Sequence, residues 1–238
     1  PNSRSSHSIA KPSAGGIVFV TLTSISTILN PNIAIFFSMP IAIVGFFDDL
    51  FSLPASARYL VQVLTALIFF QYSPLFNGVF LSNNYSYIAT YLLFIIVFTG
   101  IINFVNFMDG MDGLVAGCSL IMILSASLMV EHSFSYFVLL GSLFGFVILN
   151  WSPAKVFMGD VGSTFLGTIY ACSVFQQLTW HDSFGLLLIG SPLVFDASSC
   201  VIRRLITNQS VFSAHKLHLY QRLHQSGMSH GLVSSIYI

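Results

Sequence analysis

An all-α, polytopic membrane protein is the fold class the sequence predicts, and three observations carry the prediction. Only 7% of the 238 residues are charged, against ~25% in soluble domains. Hydrophobic residues make up 55% of the chain, with 24 phenylalanines and a mean hydropathy of +0.84. The apolar residues form long runs over the whole length, without the alternation of a membrane β-barrel. The formal net charge is zero, so no overall basic character points to a nucleic acid. Cys118, Cys172 and Cys200 lie inside apolar runs without C-x-x-C spacing and read as small core residues.

The runs fall at 15–30, 32–47, 59–72, 88–105, 113–130, 134–150, 162–180 and 184–202, and a ninth begins near 231. Several are shorter than the ~20 residues of an upright span. They predict eight complete transmembrane helices plus a truncated ninth, in a single integral-membrane domain over residues 1–238. Position 1 is not Met and the last residues open a new apolar segment, so a fragment of a longer protein is expected.

Alternating spans define two sets of loops. One set is 1–14, 48–58, 103–112, 151–160 and 203–230. All of the chain's Lys and Arg residues, Arg4, Lys11, Arg58, Lys155, Arg203, Arg204, Lys216 and Arg222, fall in or border that set. The positive-inside rule assigns it to the cytoplasm. Asp48, Asp49, Asp109, Asp112 and Asp160 lie in the same set, with Asp196 near the cytoplasmic end of the eighth run. A cation transporter predicts carboxylates in mid-span and on both sides. Here they gather at one face, as a surface site requires.

Four polar stretches interrupt the runs. FFDDLFSLPASARYLVQ (46–62) holds two adjacent carboxylates that repel each other and need a metal, Arg58 or a counterion. NFVNFMDGMDGLVAG (103–117) places Asn103, Asn106, Asp109 and Asp112 three residues apart. Each step of three turns a helical side chain by about 60° from the one before. A regular helix cannot focus all four, and the two Asp-Gly pairs predict a break. KVFMGDVGSTFLG (155–167) sets Asp160 between glycines just before a helix start, a favourable phosphate position. HKLHLYQRLHQSGMSH (215–230) carries four histidines with Lys216 and Arg222. Zinc would need further ligands, and a phosphate-binding patch suits this composition better.

Carboxylates that outnumber their neighbouring cations suggest a hard divalent metal, most simply Mg²⁺, which binds through one or two carboxylates plus substrate phosphates. Arg and His match the remaining phosphate charge. A site at the membrane interface suits one water-soluble and one lipid substrate. These parts are those of metal-dependent phosphoryl transfer to or from a lipid.

Together the stretches resemble the motifs of the polyprenyl-phosphate N-acetylhexosamine-1-phosphate transferases (glycosyl transferase family 4). That superfamily includes the phospho-MurNAc-pentapeptide translocase and the enzymes that begin O-antigen synthesis. PNSRSSHSIAKPSAGG looks like the family's first cytoplasmic loop, and FFDDLF, NxxNxxDGxDG and FxGDxGS match its other motifs. The resemblance implies transfer of an N-acetylhexosamine 1-phosphate from a UDP-sugar to undecaprenyl phosphate, with release of UMP. Mg²⁺, or Mn²⁺ in its place, is the implied cofactor. Also implied are the bacterial inner membrane with a cytoplasmic active site, a homodimer, and about ten or eleven helices in the whole protein.

By resemblance, Asp160 is the principal metal ligand, with Asp109 beside it. Asp48, Asp49 and Asp109 are catalytic carboxylates. Asn103, Asn106, Asp112, Arg58, His215, His218 and Arg222 are substrate contacts, and Phe157 stacks on uracil. The translocase's three consecutive histidines are replaced here by His215-Lys216-Leu217-His218-Leu219-Tyr220-Gln221-Arg222. That looks like the O-antigen branch and argues against a muramyl-pentapeptide substrate. A one-step displacement and a route through an aspartyl-phosphate both remain open, as does a degenerate, non-catalytic relative.

Overall fold

The computed structural model describes residues 12–82, 87–129, 134–209 and 217–238. Every regular element among them is helical: α1 Ile17–Leu29, α2 Ile33–Phe51, α3 Ala55–Phe69, α4 Pro74–Ser82, α5 Tyr87–Phe107, α6 Leu114–Met129, α7 Phe134–Asn150, α8 Gly159–Phe175, α9 Trp180–Ile189, α10 Ser191–Ile206, α11 Leu219–Gln225 and α12 His230–Tyr237. A short 3₁₀ turn, Phe70–Tyr72, follows α3. The all-α expectation holds.

Helix α8 stands at the centre. Every residue from Val161 to Phe175 is buried, with α2, α5, α6 and α1 packed around it. Close approach needs small residues at the crossings, because a bare backbone lets helix axes draw together. Gly45 of α2 meets α8 where a Cβ would lie 2.7 Å from the Asp160 carbonyl oxygen. That crossing brings the end of α2, and its two aspartates, onto the start of α8.

The two ends of α8 differ. Its C-terminal end enters an aromatic cluster in which Phe175 lies 5.2 Å from Phe70 and 5.0 Å from Phe94, ring to ring. Its N-terminal end carries Asp160 and the polar residues of the other helices. The ends are about 24 Å apart at 1.5 Å per residue. Large apolar side chains such as Ile28, Leu29, Ile88, Leu128, Leu178 and Ile206 stand outward, 72–82% exposed. Apolar exposure on that scale suits a lipid environment rather than water.

Local chemistry sets the boundaries. Asn32 caps α2 by accepting from Ile35 N at 3.2 Å, and Ser52 closes it in the left-handed conformation. Thr179 caps α9 by accepting from Asp182 N. α5 ends at Phe107, where the Asp-Gly pairs begin and Gly113 takes a φ of +74°.

The span prediction is refined in three places. α2 and α5 are long and apolar enough to cross a membrane individually. The eighth run is two helices, α9 and α10, bent by 78° at Gly190, with Pro192 in the first turn of α10. α1, α6 and α7 are apolar but have 13, 16 and 17 residues, fewer than an upright crossing needs. Part of the stretch between the runs 59–72 and 88–105 is the helix α4. A Pro at its first position suits a helix start and masked it in a reading by apolar runs.

Candidate active site

The end of α2 supplies Asp48 and Asp49. Asp49 Oδ1 accepts from Asp160 N at 2.9 Å and Oδ2 from Val161 N at 3.0 Å. Both oxygens therefore hold the first amides of α8, where a carboxylate meets unpaired N–H groups and the positive end of the helix dipole. Gly159 makes this contact possible. Its φ is +75°, and a Cβ there would sit 2.6 Å from Asp49 Oδ2.

Asp48 faces the other way. Arg58, in the first turns of α3, donates through Nη1 to Asp48 Oδ2 at 2.5 Å and to Asp160 Oδ2 at 2.9 Å. The guanidinium bridges two helices. Arg58 and Asp160 are each 30% exposed and Asp48 10%, so the bridge is open to an incoming ligand. Asn106 Nδ2 approaches Asp160 Oδ2 at 3.5 Å, and Ser163 donates to Asn106 Oδ1 at 2.7 Å. Thr164 donates to the Asp160 carbonyl.

Asp109 completes the cluster from the turn after α5. Loss of water around its carboxyl, then the charges of Asp160 and Asp49, push its pKa up to about 7. Four carboxylates thus share a small volume with one contacting guanidinium among the described residues. Such an excess of negative charge is what a bound cation relieves. Among the described residues no three His, Cys, Asp or Glu side chains converge as a finished metal cage. Asp160 and Asp109 are oxygen donors that a hard divalent ion could share with a phosphate, since such ions use one or two carboxylates and keep other positions for substrate.

The Asn103–Asp112 stretch does not act as one unit. Asn103 pairs reciprocally with Gln62 of α3, at 2.7 and 3.3 Å, and donates to Thr99 O. Its amide fastens α3 to α5. Asn106 and Asp109 enter the Arg58 cluster. Asp112 turns away and is buried, where Oδ2 accepts from Ala154 N at 3.1 Å and lies 3.4 Å from His230 Nδ1. The ~60° helical step separates Asn103 from Asn106, and the turn that follows the end of α5 at Phe107 carries Asp109 and Asp112 apart.

The histidine-rich segment is likewise divided. His215 lies outside the described residues. His218 is buried at the start of α11, where its backbone N–H donates to Gln221 Oε1. Arg222 is exposed on α11. Phe157 is half-buried, and its backbone pairs with the stretch before α1: Phe157 N donates to Pro12 O, and Phe157 O accepts from Gly15 N, both at 2.9 Å. This pairing lays residues 12–15, just before α1, along the Asp160 loop.

Sequence reasoning missed four positions. Asp196 is a buried hub for α11 and α12. Asn150 donates to Val156 O and accepts from Gly113 N, tying the Asp-Gly turn to the Asp160 loop. Gln62 and Ser163 hold Asn103 and Asn106. An isolated amide or carboxylate in an apolar run was the available signal, because such a group must find a partner.

The profile of glycosyl transferase family 4 matches residues 32–177, which covers α2 through α8. Similarity to individual proteins runs wider. A Bacillus subtilis protein named "Probable undecaprenyl-phosphate N-acetylglucosaminyl 1-phosphate transferase" is 31% identical over 97% of this chain and 70% of its own length. A Thermotoga maritima undecaprenyl-phosphate alpha-N-acetylglucosaminyl 1-phosphate transferase is 31% identical over 92% of this chain and 70% of its own. A Staphylococcus saprophyticus phospho-N-acetylmuramoyl-pentapeptide-transferase is 31% identical over 87% and 75%. The matched segment contains Asp48, Asp49, Arg58, Asn106, Asp109 and Asp160, the residues that meet at the head of α8, and by it the chain belongs to glycosyl transferase family 4.

Proposed function

We propose that this bacterial membrane protein transfers an N-acetylhexosamine 1-phosphate from a UDP-sugar to undecaprenyl phosphate, giving a lipid diphosphate sugar and UMP. The observation that carries the proposal is the meeting of Asp48, Asp160, Arg58, Asn106 and Asp109, from four parts of the chain, at one end of α8. The names of the relatives supply the acceptor, and two of the three are named for N-acetylglucosamine. UDP-N-acetylglucosamine is accordingly the first donor to test. We place the reaction at the start of envelope polysaccharide synthesis, on the cytoplasmic side of the inner membrane. Eight runs cross or enter that membrane, with α9 and α10 forming one broken span, and the protein works as a homodimer.

In the transfer, an oxygen of the lipid phosphate bonds to the β-phosphorus. The bond from that phosphorus to the bridging oxygen breaks, and UMP leaves with the electron pair. A phosphate monoester has its second pKa near ~6 and is largely dianionic at neutral pH, so little deprotonation is needed. The main barrier is repulsion between the anions, which oriented cations lower. Arg58 turns its guanidinium from Asp48 and Asp160 toward the diphosphate. Asp49 holds the head of α8 and so orients Asp160 without serving as a base. Asp48 keeps Arg58 in place and is the carboxylate nearest the lipid phosphate. Asp160 and Asp109 would hold Mg²⁺, or Mn²⁺, which would supply charge neutralisation of the transferred phosphoryl group. Asn106 fixes Asp160, Phe157 packs on the uracil, and Arg222 with His215 contacts the donor's phosphates or sugar.

The test uses the full-length protein in detergent with undecaprenyl phosphate, Mg²⁺ and a panel of radiolabelled UDP-sugars. Label should pass to the lipid phase from one UDP-N-acetylhexosamine and stop when EDTA is added. A folded protein that moves no label from any donor would overturn the proposal.

A further inference from the structure

Beyond the metal-side cluster lies a second buried carboxylate, Asp196, near the middle of α10 and 5% exposed. It sits among three donors. Oδ1 accepts from Leu219 N at 2.7 Å, and Oδ2 accepts from Tyr220 N at 3.0 Å and from the Tyr237 hydroxyl at 2.7 Å. His218 Nδ1 lies 3.5 Å from Oδ1. One side chain thus binds three helices: its own α10, the first two amides of α11, and α12.

Asp196 bears on the reaction through Tyr220. Capping the start of α11 fixes the backbone of Tyr220, whose side chain is 1% exposed. The tyrosine hydroxyl rests on Gly110, where a Cβ would lie only 2.4 Å from it. Gly110 follows Asp109, and Tyr220 is close enough to feel the Asp109 charge. The same turn is held from its other end by Asn150 on Gly113 N. The turn that carries Asp109 is therefore clamped between Asn150 and Tyr220, and Tyr220 is set by Asp196.

We propose that Asp196 is a positioning residue for the transfer reaction, acting through the start of α11 and the Tyr220 ring to fix the turn that presents Asp109. The proposal rests on the transferase function above and deepens it. A displacement of a catalytic group by about 1 Å costs up to ~10²-fold in rate, so the clamp matters even though Asp196 touches no reacting atom.

The test uses full-length protein in detergent, with Asp196→Asn, Tyr237→Phe, Tyr220→Leu and the double variant Asp196→Asn/Tyr220→Leu. Asp196→Asn keeps the shape but turns one acceptor into a donor facing N–H and O–H groups. Tyr237→Phe removes one of the three hydrogen bonds and leaves both caps of α11, so it serves if the asparagine variant does not fold. Two readouts are used. In hydrogen–deuterium exchange, the peptide spanning residues 105–117 should exchange faster in each single variant, while the peptide spanning 45–53 is unchanged. In steady-state transfer, kcat should fall roughly tenfold for Asp196→Asn, with KM for undecaprenyl phosphate unchanged. The double variant should match the worse single variant rather than the product of the two, because both act on one clamp.

The proposal is overturned if the variants lower the melting temperature while exchange at 105–117 and kcat stay at the wild-type values. A kcat loss that multiplies in the double variant would also overturn it, since Asp196 would then act by another path. If the wild-type protein transfers no sugar from any donor, the transferase proposal fails and the exchange data alone decide the clamp: faster exchange at 105–117 upholds it and unchanged exchange overturns it.

Discussion

Two groups of carboxylates in this chain live in opposite conditions. Asp112 and Asp196 are buried, and each accepts from backbone amides: Ala154 for one, Leu219 and Tyr220 for the other. Both also have a histidine within 3.5 Å. Asp48, Asp109 and Asp160 are crowded against one another, with Arg58 the one guanidinium in contact among the described residues. A carboxylate surrounded by donors has its charge spent on the fold. Carboxylates crowded together keep theirs for a ligand. Asp49 sits at the border, spent on two amides yet placed inside the crowded group. Removing charge from Asp112 should cost stability, removing it from the second group should cost activity, and Asp196, which sets the turn of Asp109 through Tyr220, should show the smaller activity loss proposed above.

The largest expected effect breaks or upholds that contrast directly. Asp160→Asn should lower transfer by about 10³-fold, with a melting temperature no lower than wild type because repulsion is relieved. A variant that retains full activity would end the assignment of Asp160. Asp112→Ala should do the reverse. It strands the buried Ala154 N and should cost about 2 kcal/mol, read as a lower melting temperature in detergent. Activity measured on the folded fraction well below that temperature should change far less than for Asp160→Asn.

Arg58 tests the shared counter-charge. Arg58→Gln should reduce kcat by roughly 10²-fold. Arg58→Lys should recover part of it, because an ammonium keeps the charge but loses the fork that spans two carboxylates. Equal losses in both variants would mean that geometry, not charge, is the contribution of Arg58.

The pH dependence sharpens the comparison further. Asp109 is pushed up to about 7, above the ~3.9 of an unfolded chain. Between those values the folded protein holds a proton that the unfolded chain has released. Stability without divalent metal should therefore fall as pH rises from about 4 to 7, by at most about 1.4 kcal/mol per unit. Asp109→Asn should make that slope shallower in denaturant titrations done in EDTA, and a slope unchanged by the substitution would contradict the assignment. The smallest effect concerns Asn103. Its amide is taken up by Gln62 and Thr99 O, so Asn103→Ala should cost about 1 kcal/mol of stability and change KM for the donor little. A large rise in that KM would return Asn103 to the substrate-binding set.

Much of the site was legible in the motifs. Asp48, Asn106, Asp109 and Asp160 were expected to share a site, and they do. The expectation of a single polar site was too simple. Asn103, Asp112 and His218 have the same chemistry as their neighbours in sequence, but they point elsewhere. Asp196 was visible only as an acid near the end of an apolar run. Its partners are 23 to 41 residues away, and no local pattern connects them. The bend at Gly190 and the helix α4 were similarly hidden, since a glycine within an apolar run and a short helix within a loop alter composition very little.

By itself the sequence determined the class of environment and the family. Low charge, long apolar runs and one-sided basic residues act through desolvation of the local chain, and no distant contact can reverse that. The motif residues needed only their spacing to be recognised. Tertiary structure alone decided which carboxylates share a charge and which are spent on helix caps. That division depends on where α2, α8 and α10 cross, and the electrostatic state of a side chain follows from neighbours within a few ångströms that the order of residues does not specify.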